Sequence, residues 1–405
     1  MTTLKTILDD AVAAGHAPGL IAAAITPAGE RLAAASGIRA VGSADAMTLD
    51  TLCWIASCTK AITSVAALQL VERGLIDLDA PVGKYLPLLA APQVLVGFDA
   101  AEKPITRPAK TPITLRHLLT HTSGLAYNFF SADLTRYLSA TGAAMPIDAS
   151  PDIPLLFEPG TGWQYGIGTD WVGQLIEAVS GQGLDAYVAE HVTGPLGMTD
   201  TGFFPPASQS HRRAAIHTRR EGGGFDLAAF PIPTAPYPSM GGGGLHSTVG
   251  DYLTFLSAIM GGGQAPGGAR ILKPETVAAM GANHTGEIGR ETSLPPCPIS
   301  PWIFRPCPAW PSGSASASCA TRRPFPAAGR QGRWPGRASP IATIGPIRPP
   351  ARRGYCSRNC SRSPIRRYWT RSRRWSARST RLRLCGRTPL NPARVVRSRR
   401  GVRPA

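Results

Sequence analysis

Ser57 and Lys60 stand three residues apart in Trp54-Ile-Ala-Ser-Cys-Thr-Lys60, at the mouth of an apolar stretch. A serine hydroxyl is a weak nucleophile until a neighbouring group takes its proton. A spacing of three puts both side chains on one helix face, one turn apart, so the amine can reach the hydroxyl. The free N–H groups of a helix N-terminus would add positive potential where an oxyanion forms. The competing reading is an N-capping serine followed by a surface lysine, and the S-x-x-K string alone does not separate the two.

Other residues invite chemistry to different degrees. Tyr165 lies in the glycine-rich run Gly160-Thr-Gly-Trp-Gln-Tyr-Gly166, where small neighbours leave its hydroxyl free to approach another group. Tyr127-Asn-Phe-Phe130 brings aromatics that either pack or line a pocket. His117 and His121 have metal-ligand spacing, but no third ligand accompanies them, so no metal is expected and His121 reads as a hydrogen-bonded structural residue. Gly241 to Gly244 could cradle a phosphate, yet no Lys-Ser/Thr follows, and close approach of backbone to another element fits better.

The elements around these residues follow from periodicity. Leu4, Ile7, Leu8, Val12 and Ala13 share one face of a first helix ending at Gly15. Residues 19–26 and 30–36 flank Pro27-Ala-Gly29 as a strand hairpin. Ala61, Val65, Ala66, Leu68 and Val71 then recur at helical spacing as far as Arg73-Gly74, which predicts a helix beginning at or near Ser57. Leu75–Pro87 reads as a loop with a short helical turn, residues 114–124 as a capped helix ending at Gly124, and Thr169-Asp170 as the start of an amphipathic helix. A further helix is predicted within Gly183–Met198, and Thr248 with Asp251 three later caps another. Residues 201–239 form a Pro/Gly/Arg-rich excursion with His211 and His217 at its surface. A helix, a hairpin and a helix bearing the candidate nucleophile suggest an α+β layout, an antiparallel sheet with helices on its faces.

Charge divides the 405 residues into two unlike parts. Residues 1–294 hold 18 Lys and Arg against all 25 Asp and Glu, whereas the segment after Leu294 holds 25 Arg, no Lys and no acidic residue. The total of +18 would suggest a nucleic-acid binder, but arms that grip phosphate normally mix Lys with Arg. They also do not scatter Trp, Cys and Ile without period, so no nucleic-acid partner is expected. The domain reading is therefore a body, 1–294, and an Arg/Pro/Ser-rich tail, 295–405, expected to be disordered. Only Cys53 and Cys58 belong to the body, too few for a disulfide framework. Met1 to Asp10 lacks the pattern of a signal peptide and no run approaches a membrane span, so the expected location is cytoplasmic, without a membrane partner.

Four strings carry a resemblance. Ser57-Cys-Thr-Lys60, His121-Thr-Ser-Gly-Leu125, Pro159-Gly-x-x-Trp163-x-Tyr165-Gly and Gly243-Gly-Leu-x-Ser-Thr-x-x-Asp251 are similar, in order and rough spacing, to motifs of the serine β-lactamase/penicillin-binding-protein superfamily. The nearest likeness is to class C enzymes and family VIII carboxylesterases, over about residues 1–290. That resemblance implies two lobes, an antiparallel sheet flanked by helices and an all-helical lobe, with the site in the cleft. It implies Ser57 as the nucleophile that becomes acylated, with Lys60 and Tyr165 sharing the proton and the Ser57 N–H as one oxyanion donor. It also puts Tyr127, Trp163 and Gly243 at the substrate, and it calls for no cofactor. A small-molecule ester is the expected substrate, with weak β-lactam hydrolysis as a secondary activity. Ile167 stands where lactamases commonly carry Asn, which favours esters over a β-lactamase or D-Ala-D-Ala-type peptidase.

The pattern also departs from the family. A third box, on a strand beside the nucleophile, should supply the second oxyanion donor. His284-Thr-Gly286 matches as a string, but it follows a helix over Pro274–Met280 too directly and reads as a surface loop. The true box is expected within 320–345, where Arg333-Trp-Pro-Gly-Arg cannot form a central strand. A frameshift near Leu294 accounts for this, and it makes an inactive remnant the rival reading. Moved back by one nucleotide, Ser357–Arg366 permits Leu-Thr-Gln-Leu-Leu-Pro-Phe-Ala-Asp-Pro, and the run that follows permits an amphipathic helix. Sequencing the gene across codon 294 tests this: a single-base change there should open a continuous alternative frame, and the absence of any such frame would contradict it.

Overall fold

The helix that carries Lys60 is apolar on nearly every side, and the rest of the body is wrapped around it. In the computed structural model, which describes residues 3–26, 29–143, 153–228 and 240–288, this helix spans Thr59–Glu72. Ile62, Val65, Ala66 and Leu70 are fully buried, as suits a helix with no solvent face. The chain divides into two units, Met1–Pro349 and Pro350–Ala405, and every described residue belongs to the first. The expected boundary near 294 and the tail lie outside the described residues.

In chain order, α1 (Leu4–Ala13) is followed by the antiparallel hairpin β1 (Gly19–Ile25) and β2 (Arg31–Gly37), in register from Gly19↔Gly37 to Ile25↔Arg31. The short strand β3 (Cys53–Trp54) runs into a 3₁₀ turn over Ala56–Cys58 and then into α2 (Thr59–Glu72). A 3₁₀ turn at Val82–Lys84 fills the loop after α2. The hairpin β4 (Gln93–Phe98) and β5 (Pro104–Pro108) comes next, an element that the sequence reading did not anticipate. Its β-bulge at Leu95/Gly97 breaks the alternation on which that reading relied. Helices α3 (Leu115–Thr120), α4 (Ala132–Thr141), α5 (Gly168–Ser180) and α6 (Leu184–Val188) form the helical layers. The small hairpin β6 (His217–Arg219) and β7 (Phe225–Leu227), the strand β8 (His246–Ser247), α7 (Val249–Met260) and α8 (Pro274–Met280) complete the described chain.

Helices and small antiparallel sheets make up the described chain, as the expected α+β layout requires. Among the described residues the strands pair as four two-stranded sheets rather than one broad sheet. Two helical predictions shift. α3 stops at Thr120, because His121 itself adopts the left-handed conformation (φ 61°) that closes the helix. The helix expected within 183–198 passes at Ala189 into a π-helical turn that runs to Thr193.

Two contacts position the site. β3 pairs with β8, Trp54 opposite His246 and Cys53 opposite Ser247, which draws the glycine run 241–244 against the turn holding Ser57. α5 packs on α2, and its buried Trp171, Val172, Leu175 and Ile176 join the same core cluster as Ile62, Val65 and Leu70 of α2. The loop before α5 lies so close to Leu125 and Ala126 that a Cβ at Gly166 would come within 2.3 Å of the Leu125 carbonyl oxygen. Glycine at 166 is what lets Tyr165 sit over α2.

Candidate active site

Ser57 is the middle residue of the 3₁₀ turn and is exposed, while Lys60 in the first turn of α2 is half-buried. Ala56, just before the serine, has φ 44°, a left-handed conformation that is costly for a residue with a Cβ. The Lys60 ammonium donates to Ser57 Oγ (3.3 Å), to the Gly242 carbonyl oxygen (2.5 Å) and to the Tyr127 hydroxyl oxygen (3.4 Å). An ammonium has three N–H donors, so these three acceptors satisfy the cation completely. The ring of Tyr165 adds a fourth contact, its centroid 4.9 Å from Lys60 Nζ.

The structure thus brings Ser57, Lys60, Tyr127 and Tyr165 together. The two tyrosines are placed differently. Tyr127 meets Lys60 through its hydroxyl as well as its ring, whose centroid is 5.5 Å from Nζ, whereas Tyr165 meets it through its ring face. The Tyr127 hydroxyl also donates to Asp170 Oδ2 at 3.3 Å. Burial pushes the Tyr127 phenol well above its ordinary range, and the Asp170 and Tyr165 charges add to the effect. Tyr127 therefore stays a neutral phenol at physiological pH.

Asp170 is the residue that sequence reasoning missed. Its place in the first turn of α5 gives it the look of an ordinary helix-start acid. In the fold it is buried, and it accepts from the Gly242 N–H through Oδ1 (2.8 Å) as well as from Tyr127. Burial raises its carboxyl, while the Lys60 charge and these hydrogen bonds oppose the rise. The glycine run gave the available signal, since its close approach to something was expected. That something is Asp170, whose Oδ2 would lie 2.4 Å from a Cβ at Gly242.

Trp163 and Gly243 stand at the margins of this cluster. The Gly243 carbonyl accepts from the Trp54 indole N–H (2.6 Å) and its own N–H donates to the Met240 carbonyl (3.1 Å), so both polar groups are engaged in shaping the wall beside Ala56. Trp163 meets the His121 ring edge-on at 6.0 Å, and His121 packs against Tyr165 at 4.7 Å. His121 differs from its expectation: its Nδ1 is buried without a hydrogen-bond partner, because rings surround the imidazole and its hold on the loop is the backbone bond from Gln164 N–H to its carbonyl. Burial, with the Lys60 charge beside it, lowers the His121 imidazole to about 3.

Other sequence features fall away from the cluster. His117 Nδ1 accepts from the Thr114 N–H in the capping box of α3. His284-Thr-Gly286 lies in the turn after α8, where His284 contacts Arg116 and the Ala279 carbonyl. Asp251 takes the Asp200 N–H and the Thr201 hydroxyl besides the Thr248 cap. Among the described residues, no three His, Cys, Asp or Glu side chains assemble as metal ligands. No described helix is long and apolar enough to cross a membrane. A cavity of about 480 Å³ opens at the far end of α2, lined by Gln69, Arg73, His191 and Arg270, and touches none of the clustered residues. The segment 320–345, where a third motif was expected, lies outside the described residues.

Residues 4–297 match the family Beta-lactamase. The chain is similar to the acyltransferase mokF of Monascus pilosus, 38% identical over 58% of this chain and 57% of that protein. It is similar to lovastatin esterase of Penicillium rubens, 34% identical over 60% of this chain and 63% of that protein. Unliganded simvastatin synthase (LovD) of Aspergillus terreus superposes with a TM-score of 0.60 at 34% identity, over 68% of this chain and 70% of that one. The chain therefore spans less than two thirds of the length of either relative compared by sequence.

Burial makes the fold acid-sensitive through its histidines. His246 on β8 is lowered to about 4, chiefly by burial, and His121 to about 3, whereas unfolded histidines titrate near ~6.5. Below about pH 6.5 the unfolded chain takes up protons that the native chain refuses. Stability is thus full above that pH and falls as pH drops toward 4, by roughly 1.4 kcal/mol per unit for each histidine. Urea midpoints at pH 7 and pH 5 should show this loss, and His246→Gln should make the loss smaller.

Proposed function

The chain belongs to the beta-lactamase family, and on that footing we propose that it hydrolyses carboxylic esters of small molecules through an acyl-enzyme on Ser57. The observation that carries this reading is the 3.3 Å contact between Ser57 Oγ and a Lys60 ammonium whose other donors are filled by Tyr127 and Gly242. A nucleophile whose partner is fixed on all sides spends little of its time out of line. The similarity to an esterase and to acyltransferases favours esters over β-lactams as substrates.

In this mechanism the reactive form carries Lys60 as the neutral amine: Ser57 Oγ attacks the ester carbonyl carbon while its proton passes to the free lone pair of Lys60 Nζ, which shares it with Tyr165. The carbonyl oxygen becomes an oxyanion next to the Ser57 N–H, and the alcohol departs with the proton. Water then attacks the acyl-serine by the same route in reverse, releasing the acid and restoring Ser57. Tyr127 stays a neutral phenol, and the proton is carried by Lys60 with Tyr165, whose ring centroid lies 4.9 Å from Nζ. Trp163 and the Gly243 wall flank the acyl group. The same acyl-serine would acylate an alcohol in place of water, the reaction to which the relatives named as acyltransferases point.

Turnover of p-nitrophenyl butyrate by the full chain should exceed turnover of nitrocefin, and Ser57→Ala should lower it by about 10³-fold or more. Nitrocefin turnover without ester turnover would reverse the substrate order. Ester turnover that survives Ser57→Ala would remove Ser57 from the chemistry.

A further inference from the structure

Around Lys60 the polar contacts close into a ring. Lys60 donates to the Gly242 carbonyl (2.5 Å), the Gly242 N–H donates to Asp170 Oδ1 (2.8 Å), the Tyr127 hydroxyl donates to Asp170 Oδ2 (3.3 Å), and Lys60 donates to the Tyr127 oxygen (3.4 Å). We infer that Asp170 is the positioning residue of the site: through Tyr127 and Gly242 it aims the Lys60 amine at Ser57 and places a carboxylate behind it. This rests on the proposed acyl-enzyme chemistry and deepens it.

The argument is one of donors and acceptors. Both Asp170 oxygens receive a donor, the pattern of an ionised carboxylate, which has no donor of its own. Its pull turns the Tyr127 proton toward itself and leaves a lone pair of the same hydroxyl facing Lys60. Tyr127 can then only accept from the amine. Gly242 is fixed in the same way from its N–H, and a Cβ there would lie 2.4 Å from Asp170 Oδ2, so the glycine and the carboxylate are matched in space. Asp170 comes from α5, Tyr127 from the loop after α3, Gly242 from the run before β8 and Lys60 from α2, so one side chain locks four segments around the amine.

The charge matters as well as the shape. Lys60 is faced by the Ser57 and Tyr127 hydroxyls, by the Tyr165 ring, by the buried neutral His121 and, across Tyr127, by Asp170. Among these groups Asp170 is the anionic one that offsets the ammonium. Replacing it with a neutral isostere therefore removes the negative charge behind the amine and turns Tyr127, which no longer meets a carboxylate.

The test uses the full chain with Asp170→Asn, Tyr127→Phe and the double variant, each followed by p-nitrophenyl butyrate kinetics against pH and by the rate of fluorophosphonate labelling of Ser57. Rates are normalised to the fraction of protein that labels to completion, which separates lost chemistry from lost folding. For Asp170→Asn, kcat should fall roughly 10- to 100-fold with KM nearly unchanged. The acidic limb of its kcat/KM profile should move to lower pH by roughly one unit. Tyr127→Phe should lower kcat with a smaller shift of the limb, and the double variant should be no slower than Asp170→Asn alone, as expected of residues acting in series. A kcat within twofold of wild type with an unmoved limb, or additive losses in the double variant, overturns the inference while leaving the acyl-enzyme reading intact. Where Asp170→Asn yields no labelled protein, Tyr127→Phe decides alone: an unchanged kcat and pH profile overturns the inference. A wild-type chain whose Ser57 never labels overturns the inference and the proposed function together.

Discussion

The site depends on holding one cation, the Lys60 ammonium, at a fixed point within reach of an exposed serine. An ammonium on a four-carbon stem has many rotamers, and fixing it costs up to ~2 kcal/mol of side-chain entropy. The structure offsets that cost with three acceptors at bonding distance and an aromatic face. Each acceptor comes from a different part of the chain, so the geometry of the amine reports the assembly of the whole body.

That requirement explains features that look unrelated. α2 is apolar on nearly every side because it must run through the centre of the body to present Ser57 and Lys60 at one end. The glycines at 242 and 166 are sites of close approach, one to a carboxylate and one to the Leu125 backbone, and each brings a polar group or a ring to the amine. The β3–β8 pair is only two residues long, yet it sets the glycine run against the nucleophile turn. The left-handed φ at Ala56 is the strain left where strand, turn and helix must meet within a few residues.

Much of this was legible in the sequence where the information is local. The Ser57–Lys60 pair, the helix that bears it, the first hairpin and the cap at Thr248 follow from spacing and periodicity within a dozen residues. Tyr165 and Tyr127 could be singled out by their neighbours, but which would face the amine with its hydroxyl depends on how two loops pack. Asp170 was hidden because its partner Gly242 is 72 residues away and a helix-start acid has a sufficient local explanation. His121 ended a helix in a conformation usually left to glycine, so the sequence placed that end at Gly124 instead. The bulge in β4 hid a hairpin for the same reason, since a broken alternation leaves no periodic trace.

The account stands on covalent chemistry at Ser57. The most direct measurement is acid-quench peptide mapping: mix the full chain with p-nitrophenyl butyrate, quench within the first turnovers, digest and weigh the peptides. The account predicts a butyryl adduct on the peptide containing Ser57, absent from Ser57→Ala and gained by no other residue. An adduct on a different residue, or steady ester turnover with no adduct at any quench time, would contradict it.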